Sequence, residues 1–251
     1  MATPDVWQSM STPAAATAVR EAPPRRRESA ARQAPAEQLG ELVVASQLER
    51  LSTAGRILKR SFDVLFSSLA LLLLAPMLLL IAIAIRLDSQ GSVLYISERI
   101  GRNGRRFSCF KFRTMIQNAE RQQERMRHLN LRDGVLFKVA NDPRVTHVGR
   151  ILRKYSLDEL PQFFNVLRGE MSVVGPRPPI ASEVREYSLA HMRRLSVLPG
   201  ITGLWQTQAR HDPSFESYVS LDLAYIENWS LGLDFKIIAQ TVGILLSGTG
   251  I

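Results

Sequence analysis

Two adjacent carboxylates, Asp158 and Glu159, stand inside the stretch "SLDELPQF" that runs from Ser156 to Phe163. Arg150, Arg153 and Lys154 precede them closely, and "GPRPP" follows within about twenty residues. Paired acids among cations suit phosphate chemistry run through a divalent metal, in which one or two protein oxygens hold Mg²⁺ and the ion bridges to substrate phosphates. An aspartate can also attack phosphorus directly, giving an acyl phosphate and splitting one displacement into two. The same letters spell a helix capping box, with Ser156 and Glu159 three residues apart. Pro161 conflicts with a helix begun at Ser156, because its ring crowds the preceding turn and it has no N–H to donate. A helix that begins only at Pro161 leaves both acids in the turn before it.

Arg177 is clamped between Pro176 and Pro178. Restricted neighbours reduce the freedom its guanidinium loses on forming a two-point bond to phosphate, although a rigid turn with a solvated arginine reads the same way. "PGITGLWQ", Pro199 to Gln206, sets turn glycines beside an aromatic and is expected to be loop-like, lining a pocket or packing the core. His128, His147, His191 and His211 lack metal-ligand spacing. No Walker loop, dinucleotide fingerprint or Gly-x-Ser-x-Gly elbow is present, which argues against P-loop kinases, dinucleotide enzymes and α/β-hydrolases.

The elements that must position these residues begin with a loud one. "VLFSSLALLLLAPMLLLIAIAI", Val64 to Ile85, is uncharged over about 22 residues, long enough to cross a bilayer. Basic residues crowd both flanks: Arg50, Arg56, Lys59 and Arg60 before it, then Arg86, Arg99, Arg102, Arg105 and Arg106 after it. The positive-inside rule needs an asymmetry that is missing here. Pro76, near the middle, breaks the hydrogen-bond ladder, so the run reads either as a re-entrant helix leaving on the side it entered or as a kinked single span.

Residues 1–40, rich in Ala, Pro, Arg, Glu and Gln, are expected to be a disordered tail, and 41–60 an amphipathic basic helix. Residues 61–87 are expected to form the membrane element, and 88–251 a domain of soluble character. In that domain "SVLYISERIGRNGRRFSCFKFRTM" predicts a β-hairpin turning at Asn103-Gly104, and "MSVVG" a short strand. Polar helical sequence follows the hairpin, "QNAERQQERMRHLNL". The segment Leu231 to Leu246 is apolar but carries Asp234 and Lys236, which suits a helix lying at a membrane surface. The fold class is therefore α+β and mostly helical.

The net charge of +9 raises nucleic acid and anionic membrane as partners. The cations cluster about the membrane run and no aromatic-rich nucleic-acid module stands out, so anionic membrane lipid is expected and nucleic acid is not. A single cysteine, Cys109, fits a reducing compartment.

Taken in order, "KRSFDV", the proline-broken apolar run, "FKFRTM", "DPRVTHVGRILRKYSLDELPQFFNVLRGEMSVVGPRP", "PGITGLWQ" and "DLAYIENWSLGLDFKII" resemble the bacterial monotopic phosphoglycosyl transferases, from about Lys59 to the C-terminus. The resemblance implies transfer of a hexose 1-phosphate from a UDP-sugar to undecaprenyl phosphate at the cytoplasmic face of the inner membrane, with release of UMP, as the first membrane step of exopolysaccharide assembly. It implies Asp158 as nucleophile and Glu159 as its partner at Mg²⁺, both being candidate metal ligands. It further implies Arg177 as a phosphate binder, Lys111, Arg113, Arg153 and Arg210 as further phosphate or substrate contacts, and a re-entrant helix broken at Pro76.

The chain departs from the pattern in places. Ala75 replaces a common serine before Pro76, Leu198 replaces a common basic residue before "PGITG", and Ala209, Arg210 and His211 stand where Gly-Arg-Asn is usual. Residues 1–58 hold no second apolar run of spanning length, unlike the larger members. The sugar and any homo-oligomer are left open by these residues. A catalytically inactive, membrane-anchored basic scaffold is the alternative.

Overall fold

A computed structural model describes residues 53–119, 139, 142–210, 212 and 214–248. The expected tail over 1–40, most of the helix expected over 41–60, nearly all of the polar helical stretch after the hairpin, His128 and His211 lie outside the described residues. Among the described residues the protein is mostly helical, with two small sheets of two strands each.

Helix α1 spans Thr53–Asp88, 36 residues with Pro76 inside it. The helix runs on through residue 60 and through Pro76, where the sequence predicts a boundary and a break: Pro76 cannot donate to the Leu72 carbonyl, so the ladder loses one bond there without ending the helix. Only Asp63, Ser67, Ile81 and Ile85 are buried in this helix. With Phe66, Ala70, Leu71, Met77, Leu78 and Ala82 packed beside them, they form one stripe at helical spacing that faces the rest of the protein on both sides of Pro76. The other faces expose leucines, with Leu65 at 71% and Leu72 at 73%. A helix this long and apolar is able to anchor in a membrane.

Strands β1 (Leu94–Ile100) and β2 (Arg106–Phe112) pair antiparallel, in register from Leu94 opposite Phe112 to Ile100 opposite Arg106. The turn between them is the expected one: Asn103 and Gly104 both take left-handed backbone, with φ of 60° and 73°. Alternation puts Phe107, Cys109 and Lys111 of β2 on one face with Tyr95, Ser97 and Arg99 of β1.

Helix α2 (His147–Lys154) starts where the Thr146 hydroxyl accepts the Gly149 N–H. Its second residue, Val148, also donates its N–H to Asp88 Oδ2 at 3.0 Å, which ties α2 to the last residue of α1. Helix α3 (Gln162–Arg168) ends at Gly169 in the left-handed region. Strand β3 (Ser172–Val174) follows, and pairs in parallel with β4 (Gly200–Thr202). Between them lie the short helices α4 (Ala181–Arg185) and α5 (Leu189–Met192), and after β4 comes α6 (Leu204–Gln208). Helices α7 (Phe215–Glu227) and α8 (Leu231–Ser247) complete the protein.

The parallel pair is narrow because it must be. A Cβ on Gly200 would lie 2.1 Å from the Gly175 nitrogen, so only glycine lets the two backbones meet where β3 runs on toward Arg177. The main core gathers Phe107 and Cys109 of β2, Phe163 and Val166 of α3, Val173 and Val174 of β3, Tyr225 of α7 and Ile237 of α8. "PGITGLWQ" is corrected by this arrangement: it forms β4 and α6 rather than a loop.

Candidate active site

Asp158 and Glu159 sit in a single 3-10 turn, Leu157–Glu159, between α2 and α3. No capping box forms. Ser156 adopts left-handed backbone with φ of 51°, and its hydroxyl accepts from Arg210 Nη2 at 3.0 Å instead of capping a helix. The regular helix starts just after Pro161, so both acids stand in the turn before it, as the proline suggested.

Glu159 is locked to Lys111 of β2, with Nζ 2.6 Å from Oε1. Together they line a cleft with Arg99, Arg177 and Arg210 from three other segments, and with Gln162, Trp205 and Gln206. Arg177 lies over the Trp205 ring, 5.7 Å from its centroid. Arg99 donates through Nη1 to the Pro178 carbonyl at 3.2 Å. Asp158 is not among the lining residues; it stands beside the cleft, half-buried, with Lys111, Glu159 and Arg153 as its charged neighbours.

The two carboxyls are driven apart electrostatically. Burial lifts Asp158 to about 6, Lys111 opposes the lift, and the Glu159 charge adds to it. Burial pushes Glu159 up as well, but the Lys111 ion pair with Arg177 and Arg210 outweighs it and leaves Glu159 below the usual carboxylate range. Glu159 is thus committed to its cations, whereas the other acid is held less tightly.

A buried pair holds the Pro-Arg-Pro segment from behind. Arg194 and Asp222, each 1% exposed, meet at 2.6 Å, and Arg194 Nη2 donates to the Arg177 carbonyl at 3.2 Å. Arg194 also donates to the hydroxyls of Tyr187 and Tyr218. Asp222→Ala strands that guanidinium in the core and is expected to cost about 3–5 kcal/mol in denaturant unfolding. Glu227→Ala breaks the more exposed Arg193–Glu227 pair, also 2.6 Å long, and is expected to cost less than about 1 kcal/mol.

Among the described residues no group of three or more His, Cys, Asp or Glu converges as a metal cage. Glu159 on the cationic cleft and Asp158 beside it nevertheless fit Mg²⁺, which is held by one or two carboxylates while waters and substrate phosphates complete its shell.

The family model for the bacterial sugar transferase matches residues 54–248. This chain belongs to the bacterial sugar transferase family. The transferase is 47% identical over 193 residues to the exopolysaccharide production protein ExoY of Rhizobium meliloti (strain 1021), covering 75% of this chain and 85% of that protein. It is 40% identical over 204 residues to the undecaprenyl-phosphate galactose phosphotransferase of Salmonella typhimurium, covering 78% of this chain and 42% of the relative. It is also 42% identical over 200 residues to the UDP-glucose:undecaprenyl-phosphate glucose-1-phosphate transferase of Klebsiella pneumoniae, covering 76% of this chain and 41% of the relative. The transferase therefore spans less than half the length of these last two.

Within the transferase, the fold brings Lys111, Arg177 and Arg210 together around Glu159, with Asp158 alongside. Arg153 is held by Thr114, its Nε 2.9 Å from Oγ1, and its charge acts on Asp158. Arg113 is placed elsewhere: its Nη2 donates to the Ser89 carbonyl at 2.6 Å and the Ser89 hydroxyl at 2.9 Å, closing the end of α1. Pro76 lies on an exposed part of α1, away from the cleft. Sequence reading did not single out Arg99, Gln162 or Gln206 as site residues. A signal existed for Arg99, since counting outward from the Asn103-Gly104 turn puts it on the same hairpin face as Lys111. Gln206 had a weaker one, as the end of the "PGITGLWQ" segment expected to line a pocket or pack the core, and Gln162 carried none.

Proposed function

We propose that the transferase moves a hexose 1-phosphate from a UDP-sugar to undecaprenyl phosphate, releasing UMP, through a phosphosugar bound covalently to Asp158. The observation that carries this reading is one cleft that joins Glu159 to Lys111, Arg177, Arg210 and Arg99, with a second, less committed carboxylate beside it. Four cations match a diphosphate donor, and the family's relatives are named for UDP-sugar and undecaprenyl-phosphate chemistry.

In the first half-reaction an Asp158 oxygen attacks the sugar-bearing phosphorus. The bond from that phosphorus to the bridging oxygen breaks, and the electron pair leaves with UMP. In the second, an oxygen of undecaprenyl phosphate attacks the same phosphorus, the acyl-phosphate bond breaks, and Asp158 returns as carboxylate. Arg177, fixed by its prolines and stacked on Trp205, forks two donors toward the phosphoryl oxygens, and Lys111 and Arg210 add positive charge nearby. Mg²⁺, held by Asp158 and Glu159, would screen phosphate charge and weaken the bond to the leaving group.

The membrane reading belongs to the same proposal. Both halves of α1 turn one stripe toward the same catalytic body, with Asp63 held by β3 at one end and Asp88 by α2 at the other. A helix crossing the bilayer would carry one end away from that body, so the re-entrant geometry is favoured. Exposed Phe235, Val242 and Leu246 on α8 suit an interfacial helix on the cytoplasmic face.

The test is UMP release with polyprenol phosphate and Mg²⁺ across UDP-glucose, UDP-galactose and N-acetylated UDP-sugars. Turnover of at least one donor is expected, and none with any donor would reject the reading. Donor cleavage should also depend on pH. Only the ionised form of Asp158 attacks, so the rate is expected to climb as pH rises through about 6 and to level off above it. A rate that falls over that interval would contradict the assignment.

A further inference from the structure

The motif "KRSFDV" has no part in the chemistry above, yet its charged residues reach both sides of the site. Arg60 donates through Nη1 to the Val166 carbonyl at 2.6 Å and through Nη2 to the Leu167 carbonyl at 3.0 Å. These are carbonyls of the last turn of α3, the helix that follows the Asp158-Glu159 turn. One helical turn further along α1, Asp63 Oδ1 accepts the Ser172 hydroxyl and the Val173 N–H, each at 3.0 Å. Those residues belong to β3, the strand that runs through Gly175 and Pro176 to Arg177.

Lys59 joins this grip to α8. Its Nζ lies 3.2 Å from Asp63 Oδ1 and 2.9 Å from Asp234 Oδ2. Asp234 also accepts the Tyr225 hydroxyl at 2.8 Å, and that oxygen lies 2.9 Å from the Val174 carbonyl. Asp63 and Asp234 are fully buried, and each has several partners. A buried ionic network of this kind is weak evidence for added stability, because desolvation offsets most of its attraction. What it does supply is geometry. Two residues on one face of the membrane helix hold the segment carrying the dyad and the segment carrying Arg177 at a fixed spacing.

We propose that Arg60 and Asp63 are positioning residues, so that the site is assembled only when α1 is seated on the catalytic body. The inference rests on the phosphoglycosyl transfer reading for its kinetic test. Neither side chain lines the cleft, so both act through α3 and β3.

The experiment uses the full chain in lipid nanodiscs, with Arg60→Gln, Asp63→Asn and the milder Ser172→Ala. The amplitude of UMP released in the first turnover counts competent sites, and the steady rate divided by that amplitude gives turnover per site. Asp63→Asn and Arg60→Gln are expected to lower turnover per competent site about 10–100-fold while KM for the UDP-sugar moves less than about 3-fold, the signature of small misplacement. Ser172→Ala removes one donor and is expected to lower turnover per site about 2–5-fold, and it decides the matter if the other variants do not fold. Unchanged turnover per site with fewer competent sites would assign the residues a purely structural role and overturn the proposal. Hydrogen exchange of residues 157–168 and 172–178 is read in parallel. If the wild type releases no UMP from any donor, the functional reading falls; faster exchange in both segments of the variants would still support the coupling, and unchanged exchange would overturn it.

Discussion

Asp158→Asn is expected to reduce UMP release about 10⁴-fold or more, the scale on which enzymes lose rate when the covalent nucleophile is removed. The carboxamide keeps the size of the side chain and fits the 3-10 turn of Leu157–Glu159. It has no anionic oxygen to attack phosphorus, so the acyl phosphate cannot form. Lys111 remains paired with Glu159 at 2.6 Å, and Arg177 and Arg210 stay in the cleft, so the binding surface for the diphosphate is retained. Affinity for UDP, which has no sugar to transfer, measured by calorimetry on wild type and variant in one detergent, is therefore expected to move less than about 3-fold. Loss of rate without loss of nucleotide affinity separates the nucleophile from the cations that bind the diphosphate. A variant that loses both together would point to a collapsed site instead.

Arg177→Lys is the second large effect, expected to lower kcat/KM about 10²–10³-fold, comparable to removing a preorganised donor from a developing anion. Charge is conserved by this change, so the loss measures geometry. The Arg177 backbone is restrained by Pro176 and Pro178, its carbonyl is held by Arg194 at 3.2 Å, and its guanidinium lies over Trp205. A planar fork so placed makes two parallel bonds to phosphate, whereas an ammonium offers a point charge and stacks less well. Steady-state kinetics on UDP-sugar check it, with most of the loss expected in kcat. A change below about 3-fold would mean that Arg177 serves the turn and not the phosphate.

Much of the fold could be read locally. Asn103-Gly104 announced the hairpin because two left-handed residues are what that turn requires, and Pro161 marked the start of α3 because the chain has no N–H to give there. The uncharged run announced α1. The apparent capping box failed because Ser156 is held in left-handed backbone while Arg210, 54 residues away, takes its hydroxyl, and no local pattern carries that information. "PGITG" became a strand for a similar reason: its partner, β3, lies nearly thirty residues upstream, and close approach at Gly175 and Gly200 makes the pairing.

In the candidate site, the dyad and Arg177 were singled out by residue type and spacing, and Lys111 and Arg210 only by the family resemblance. Arg99 was missed because its neighbours in sequence suggested a membrane flank, and only the hairpin register turns it toward Lys111. Arg113 looked equivalent to Lys111 two residues earlier, but the free carbonyls at the end of α1 hold its guanidinium there. Competition for a helix terminus decided its place.

The central claim is that Asp158 carries the phosphosugar between donor and acceptor, and it is tested most directly with donor alone. The transferase is mixed with a UDP-sugar and Mg²⁺ but no polyprenol phosphate, quenched in acid, and measured by intact and peptide mass spectrometry alongside UMP release. The expected result is UMP in up to equimolar amount with enzyme, and a hexose phosphate adduct on the peptide containing Asp158 that disappears when polyprenol phosphate is added. Stoichiometric UMP with no adduct on that peptide, or the same adduct in Asp158→Asn, would contradict the account.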